Sequence, residues 1–310
     1  MAMEKIFFYA IFPGFAFCCI AGGLLSWFDR KVTAWVQFRK GPPLLQPFYD
    51  VGKLMGKETL LPKYGERYTF LLSPVLALGA AVASGTLILV PAFAFHTGFT
   101  GDIIVAFYLI ALPSVFYMLG AAASANPLGM LGASREMKLI LGYELSFLLI
   151  VATVIYKSGM SITISGILDY QASHGPMIGS LSGIILFLAA LLCVQAKLGL
   201  APFDVSEAET EITHGIFIEY SGMAYSLIRL TRYMMLFILP CFLVILFLGG
   251  FRWEGYGILW SILKIIVAVL LITLIRNTNP RVRIDQAMRF FFVWINLAVI
   301  AAFVLAVFGL

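Results

Sequence analysis

The sequence predicts an all-α integral membrane protein with eight transmembrane helices. Three observations lead there. The 310-residue chain is 61% hydrophobic and only 12% charged, against roughly 25% charged in an average soluble protein. Its mean hydropathy is +0.98. Six long stretches carry no charge at all: 6–28, 68–101, 103–134, 170–196, 233–251 and 290–310. A soluble domain, a disordered chain and a disulfide scaffold are all excluded by this composition.

The runs are continuous and do not alternate. A barrel strand needs about 10 alternating residues, whereas a spanning helix needs about 20 apolar ones. Two further segments, 139–156 and 257–275, qualify with one charge each, Glu144 and Lys264. The expected helices therefore lie near 5–27, 70–92, 102–123, 138–156, 177–198, 229–249, 257–275 and 289–309. Together, residues 1–310 read as a single membrane domain. The first run is too long for a leader h-region, and no small-residue cleavage site precedes Asp29-Arg30-Lys31, so it reads as a retained helix.

Basic residues set the expected orientation. Arg30, Lys31, Arg39, Lys40, Lys53, Lys57, Lys63 and Arg67 fall between helices 1 and 2. Arg135 and Lys138 fall between helices 3 and 4, Lys197 ends helix 5, and Arg276, Arg281, Arg283 and Arg289 lie between helices 7 and 8. The other side keeps only Lys5, Lys157 and Arg252. These four loops are thus expected in the cytoplasm and both termini outside it, in a prokaryotic inner membrane. The net charge of +5 is a topology signal and no indication of nucleic-acid binding.

Cys18, Cys19, Cys193 and Cys241 all sit in apolar stretches, without Cys-x-x-Cys or Cys–His spacing. His96, His174 and His214 stand apart from one another. Iron–sulfur and zinc sites need clustered ligands. The expectation is a chain with no metal and no redox cofactor of its own, its cysteines acting as small hydrophobes.

With so little charge, its placement is informative. The loops expected outside, around 93–101, 157–176 and 250–256, are bland. In the first cytoplasmic loop, Arg39-Lys40-Gly41-Pro42-Pro43 forces a turn, and Pro47 suits the first turn of a helix. Asp50, Lys53 and Lys57 then share one face, and Phe48, Val51, Leu54 and Met55 form an apolar one. This is either a docking floor or an ordinary interfacial helix with lysines at headgroup level.

The loop after helix 5 holds Asp204, Glu207, Glu209, Glu211, His214 and Glu219. Asp204 or Ser206 could cap a helix that places Glu207, Glu211 and His214 on one face. Such carboxylates could exchange protons near neutral pH, or could simply be a solvated acidic helix. Inside the membrane, Glu144 and Lys264 are either an ion pair between helices or titrating groups on an ion path, because an isolated charge there is costly. Asp102 reads as a helix N-cap. Pro74, Pro113 and Pro240 fall within helices, and Asn126-Pro127 with Gly129 breaks the chain after helix 3. No internal repeat is apparent.

Several of these segments carry a family resemblance. Arg39-Lys40-Gly41-Pro42, Leu45-Gln46-Pro47, Asp50, Lys53-Leu54 and Lys57-Glu58 resemble the first cytoplasmic loop of the complex I subunit 1 family. Pro202-Phe203-Asp204, Glu207-Ala208-Glu209, Glu211 and Glu219-Tyr220-Ser221-Gly222 resemble its acidic loop. Gly132-Ala133-Ser134-Arg135-Glu136, leading to Tyr143-Glu144, resembles the entry to its fourth helix. The resemblance covers almost the whole chain. The short link from Gly41-Pro42-Pro43-Leu44 to Leu45-Gln46-Pro47 is similar to the branch of energy-converting [NiFe] hydrogenases and formate hydrogenlyases.

The resemblance implies a membrane anchor and coupling subunit, linking electron transfer in a peripheral arm to proton or sodium movement. It implies partners: the large and small [NiFe] hydrogenase subunits, a ferredoxin-like iron–sulfur subunit and antiporter-like membrane subunits. The [NiFe] centre and 4Fe-4S clusters would reside in those partners. Glu144, Glu207, Glu209, Glu211, Glu219, Asp50 and Lys264 are the candidates for ion movement. Arg39, Lys40, Gly41, Pro42, Gln46, Pro47, Lys53, Arg135 and Glu136 are the candidates for docking. The alternatives are a quinone-binding subunit of a complex I-like dehydrogenase, a related sulfur-reducing membrane complex, or an independent transporter.

Overall fold

The computed structural model describes residues 7–93, 99–252 and 255–309, together with the backbone but not the side chains of Glu209 and Thr210. Lys5 and His96 lie outside the described residues. Among the described residues the structure is helical, with no strand. In chain order the helices are α1 (Phe15–Val36), α2 (Gln46–Met55), α3 (Arg67–Ala92), α4 (Asp102–Ala123), α5 (Pro127–Lys157), α6 (Ile164–His174), α7 (Leu181–Lys197), α8 (Glu209–Ile212), α9 (Gly222–Phe247), α10 (Gly257–Thr278), α11 (Ile284–Arg289) and α12 (Asn296–Val307). A π-helical turn, Phe290–Ile295, joins α11 to α12, so that Ile284–Val307 runs as one element. Seven elements are long and apolar enough to cross a membrane, and α7 is a shorter apolar helix beside them.

The ends of three helices differ from the expectation. The first charge after an apolar run does not end the helix. α1 continues from Trp27 through Asp29 and Arg30 to Val36. Both charges are neutralised by side chains from elsewhere: Arg276 lies 2.8 Å from Asp29, and Asp50 lies 2.7 Å from Arg30. α5 starts at Pro127 instead of 138. Asn126 is its N-cap, its Oδ1 accepting Leu128 N–H at 2.9 Å, and Pro127 fills the first turn. The expected chain break is therefore a helix start. α9 begins at Gly222, earlier than 229. The 157–176 segment, expected to be bland, holds α6 with Thr163 as its N-cap. Asp102 does not cap its own helix. Its Oδ1 accepts Ile164 N–H at 2.8 Å and ties α4 to the start of α6.

The bundle forms around α9, whose residues from Tyr233 to Phe247 are buried without exception. α1, α3, α7 and α10 pack against it, and α3 lies along α4. Small residues permit the closest approach. A Cβ on Gly22 of α1 would fall 2.1 Å from the Tyr233 carbonyl oxygen of α9. Such backbone proximity replaces hydrophobic driving force between membrane helices, where lipid is as apolar as the partner.

The first and third cytoplasmic loops meet at the start of α9. Gly222 has φ +54, and a Cβ there would lie 2.5 Å from the Glu58 carbonyl oxygen. Leu60 N–H donates to Ser221 Oγ at 2.9 Å, and Met223 N–H donates to Thr59 Oγ1 at 3.2 Å. The Glu219-Tyr220-Ser221-Gly222 segment is thus a junction between loops, requiring glycine for both space and backbone angle.

Candidate functional site

Where α1, α9 and α10 end, they enclose a cavity of about 450 Å³ with the loop that follows α7. Its lining is charged. Asp29 and Arg30 come from α1, Arg229 and Arg232 from α9, Arg276 from α10, and Asp204, Glu207 and Arg281 from loops. The charges are mostly matched: Arg276 with Asp29 at 2.8 Å, Arg281 with Asp204 at 2.8 Å, and Arg232 with Glu207. Arg229 rests over the Tyr225 ring, 5.4 Å from its centroid. Partial burial raises the Asp204 carboxyl, and the Arg281 charge offsets this only in part, so Asp204 holds its proton above the usual carboxylate range.

Next to it lies a smaller cavity of about 50 Å³. Glu207, Arg232, Leu198 and Gly199 border both. Glu136, Ser114, Tyr117, Ser206 and Lys197 complete the smaller one. Glu136 is only 6% exposed. Lys197, the last residue of α7, points the other way to pair with Glu144. Its ammonium also lies 5.2–5.4 Å from the ring centroids of Phe107, Tyr143 and Phe147. A cation enclosed by three aromatic faces and one carboxylate is stabilised where water is excluded. The resulting order, from loop to membrane interior, is Glu207, Arg232, Glu136, Lys197, Glu144.

The candidate acids do not form one cluster. Glu207 joins Arg232, while Glu211 pairs with Arg135 at 2.6 Å on an exposed face. Glu219 accepts from Asn126 Nδ2 at 2.5 Å. The Glu209 side chain is outside the described residues. The expected acidic helix with a Glu207–Glu211–His214 face is not formed. The acidic stretch has a single short α-helical turn, α8, after which Thr213 and His214 take positive φ. Lys264 does not meet Glu144. Its ammonium donates to the Leu248 carbonyl at 2.5 Å and the Gly250 carbonyl at 3.0 Å, capping the C-terminal end of α9.

The docking candidates divide likewise. Arg39, Lys40 and Lys53 are exposed, Gly41, Pro42, Gln46 and Arg135 are half-buried, and Pro47 is buried. Glu136, expected on the docking face, is interior. The same loop presents Phe38 fully exposed, with Trp35 63% exposed beside it. Neither aromatic is among the sequence candidates. Their signal is an apolar pair set between basic residues.

α2 is held to the bundle through Asp50, which accepts from Arg30 at 2.7 Å and from Gln46 at 2.8 Å. Burial alone would raise the Asp50 carboxyl. The hydrogen bonds from Arg30 and Gln46, with the Arg30 charge, outweigh that and hold it below its ordinary value. A carboxylate with a depressed folded-state pKa stabilises the fold above its unfolded-state pKa. That contribution is lost as pH falls through the folded value. Amide protection across 46–55 should therefore stay level from pH 7 to about pH 5 and decline only in stronger acid. Asp50→Asn should lower it at every pH by about 0.2–1 kcal/mol, as befits a half-exposed pair. Hydrogen exchange at several pH values reads both.

Comparison with known proteins decides the family to which this geometry belongs. The NADH dehydrogenase family model matches residues 9–307. The chain belongs to the complex I subunit 1 family. Among similar proteins, a membrane-arm relative from the NADH-quinone oxidoreductase of Thermomicrobium roseum is 35% identical over 307 residues, covering 89% of this chain and 88% of that protein. Its counterpart in the NADH-quinone oxidoreductase of Brevibacillus brevis is 33% identical over 282 residues, covering 85% and 81%. A chain in the structure of the membrane-bound sulfane sulfur reductase, an archaeal respiratory membrane complex, matches with a TM-score of 0.86 at 24% identity, over 97% of this chain and 99% of that one. This family member is a multi-pass membrane subunit of the complex I-like type. Its charged cavity lies between the two loops whose motifs carry the family likeness. Among the described residues no group of three or more His, Cys, Asp or Glu side chains is placed to hold a metal ion.

Proposed function

We propose that this chain is the coupling subunit of an energy-converting [NiFe] hydrogenase complex. In this reading it links electron transfer in a peripheral arm to proton or sodium movement. The supporting observation is the charged line from Glu207 through Arg232, Glu136 and Lys197 to Glu144. A redox change beside the larger cavity would shift the charge balance at Glu207–Arg232. Glu136 and the Lys197–Glu144 pair would then respond in turn, since low-dielectric surroundings strengthen coupling between charges. Asp50, Glu209, Glu211 and Glu219 serve at the cytoplasmic entrance. Lys264, with its helix-capping role, stands outside the path.

The peripheral arm docks on Arg39, Lys40, Lys53, Trp35 and Phe38. An exposed aromatic pair flanked by basic residues suits a protein interface. The iron–sulfur clusters and [NiFe] centre belong to the hydrogenase large and small subunits and the ferredoxin-like subunit. Antiporter-like subunits adjoin in the membrane. The four charged loops face the cytoplasm, and both termini lie outside it.

The names of the sequence relatives favour a second reading, quinone binding. A quinone needs an apolar slot for its ring and tail, whereas five arginines and three carboxylates line this cavity. A sulfur-reducing arm on the same base would use the same charged line.

The test is reconstitution of the purified complex into vesicles. Glu144→Gln and Glu207→Gln should leave dye-linked hydrogenase turnover intact while ion accumulation drops to background. Full pumping by both variants would sink the coupling role. A complex that co-purifies with bound quinone and lacks a [NiFe] subunit would replace the hydrogenase assignment.

A further inference from the structure

A second cleft, of about 530 Å³, opens where the end of α7, the Pro202–Phe203 turn, the end of α10 and the π-helical turn meet. Its walls include Leu192, Phe203, Ile275, Phe290 and Trp294, and Arg289 stands at its edge. The size lies within the roughly 300–1,000 Å³ of ligand clefts. Arg289 is exposed and has no ion-pair partner among the described residues. It contrasts with Arg276 and Arg281 nearby, both held by aspartates.

We infer that this cleft binds one anionic phospholipid of the surrounding membrane, its phosphate on Arg289 and the upper part of an acyl chain against Phe290, Trp294 and Leu192. Three features favour this occupant. An apolar groove ending at a single unpaired guanidinium matches an amphiphile with an anionic head. Arg289 and Trp294 are five residues apart, and π-helical spacing brings such residues onto one side. Arg and Trp together mark the headgroup level of a bilayer. The groove also continues into a lipid-exposed surface, because Phe292, Val293, Trp294 and Leu297 are each at least 41% exposed on a spanning helix.

The occupant would brace the wall of the charged cavity. Phe203 rests against Phe290 and Phe291 at centroid distances of 5.7 and 4.8 Å. Val282 N–H donates to the Pro202 carbonyl at 3.1 Å. Asp204, which follows Phe203, holds Arg281 on the cavity side. A lipid packed under Phe203 would thus fix the turn that carries Asp204.

A photoactivatable phosphatidylglycerol, used on the intact complex in nanodiscs, tests this. In the wild type it should label the 284–297 peptide. Unlabelled phosphatidylglycerol should compete about fivefold better than phosphatidylcholine, the effect of about 1 kcal/mol for one interfacial cation. Arg289→Gln should abolish that preference, and Arg289→Lys should retain most of it. Trp294→Ala should weaken labelling by both lipids. Labelling of 284–297 with no headgroup preference, or with a preference unchanged in Arg289→Gln, overturns the site. Absence of label there also overturns it, and would mean that a neighbouring protein covers the cleft. The readout is bound lipid, so failure here is distinct from failure of the ion-coupling reading.

Discussion

Lys197→Met should lower the stability of the purified complex by about 3–5 kcal/mol, because it leaves Glu144 without its cation inside the bundle. Lys197 has a side chain only 2% exposed, and three aromatic rings surround its ammonium. Methionine fills much of the same volume, so lost packing contributes little. The stranded Glu144 will take up a proton, which limits the cost but removes the charge the pair maintained. The double variant Lys197→Met with Glu144→Leu should recover most of the loss, since two apolar residues satisfy each other where one charge cannot. Thermal unfolding of the four members of this cycle measures the coupling directly. Equal stability of the single and double variants would show that the two side chains do not depend on each other. The double variant separates folding from function: it should be stable and still fail to move ions.

The second large effect is expected at Gly22. Gly22→Val should cost at or above the upper end of the roughly 1–3 kcal/mol typical of overpacking. The first added carbon already falls 2.1 Å from the Tyr233 carbonyl oxygen and 2.5 Å from its carbonyl carbon. Both are backbone atoms of the central helix, so no side-chain rotation can relieve the contact. α1 must move away from α9. Two turns further on, Arg30 donates to the Tyr233 hydroxyl at 3.0 Å while pairing with Asp50. Separation of the helices should therefore loosen α2 as well and widen the charged cavity. Thermal unfolding with hydrogen exchange over 46–55 reads both effects. Wild-type stability with wild-type protection of that segment would contradict the close packing.

The helical membrane architecture is legible in the sequence because it depends on composition alone. An unbroken apolar stretch of 20 or so residues has few other stable forms in water or lipid. The limits of the helices are less legible. Charge reads as the end of a helix, yet Asp29 and Arg30 lie within α1 and Arg135 and Glu136 within α5. Each has a partner or a polar cavity distant in sequence, and a distant partner leaves no local trace. The centrality of α9 is equally hidden. A helix packed on all sides by protein and one facing lipid are both apolar all round.

The site shows the same division. Glu144 stands out because it is alone in an apolar run, and Glu207 because it lies in an acidic loop. Glu136 reads as part of a docking motif and proves interior. Lys197 and Arg232 read as markers of the cytoplasmic side, yet they are the cations of the charged line. Lys264, with the same appearance in the sequence as Lys197, caps a helix end instead.

By itself the sequence determined that this chain is a membrane-embedded helical bundle and that its few charges matter individually. It also carried, in three motifs, the likeness that the family match bears out. Only the tertiary structure decided which charges meet. Ion pairing depends on a few ångströms of separation, and helices distant along the chain set that separation. The Lys197–Glu144 pair spans 53 residues and the Arg276–Asp29 pair spans 247. No local pattern of residues encodes either distance.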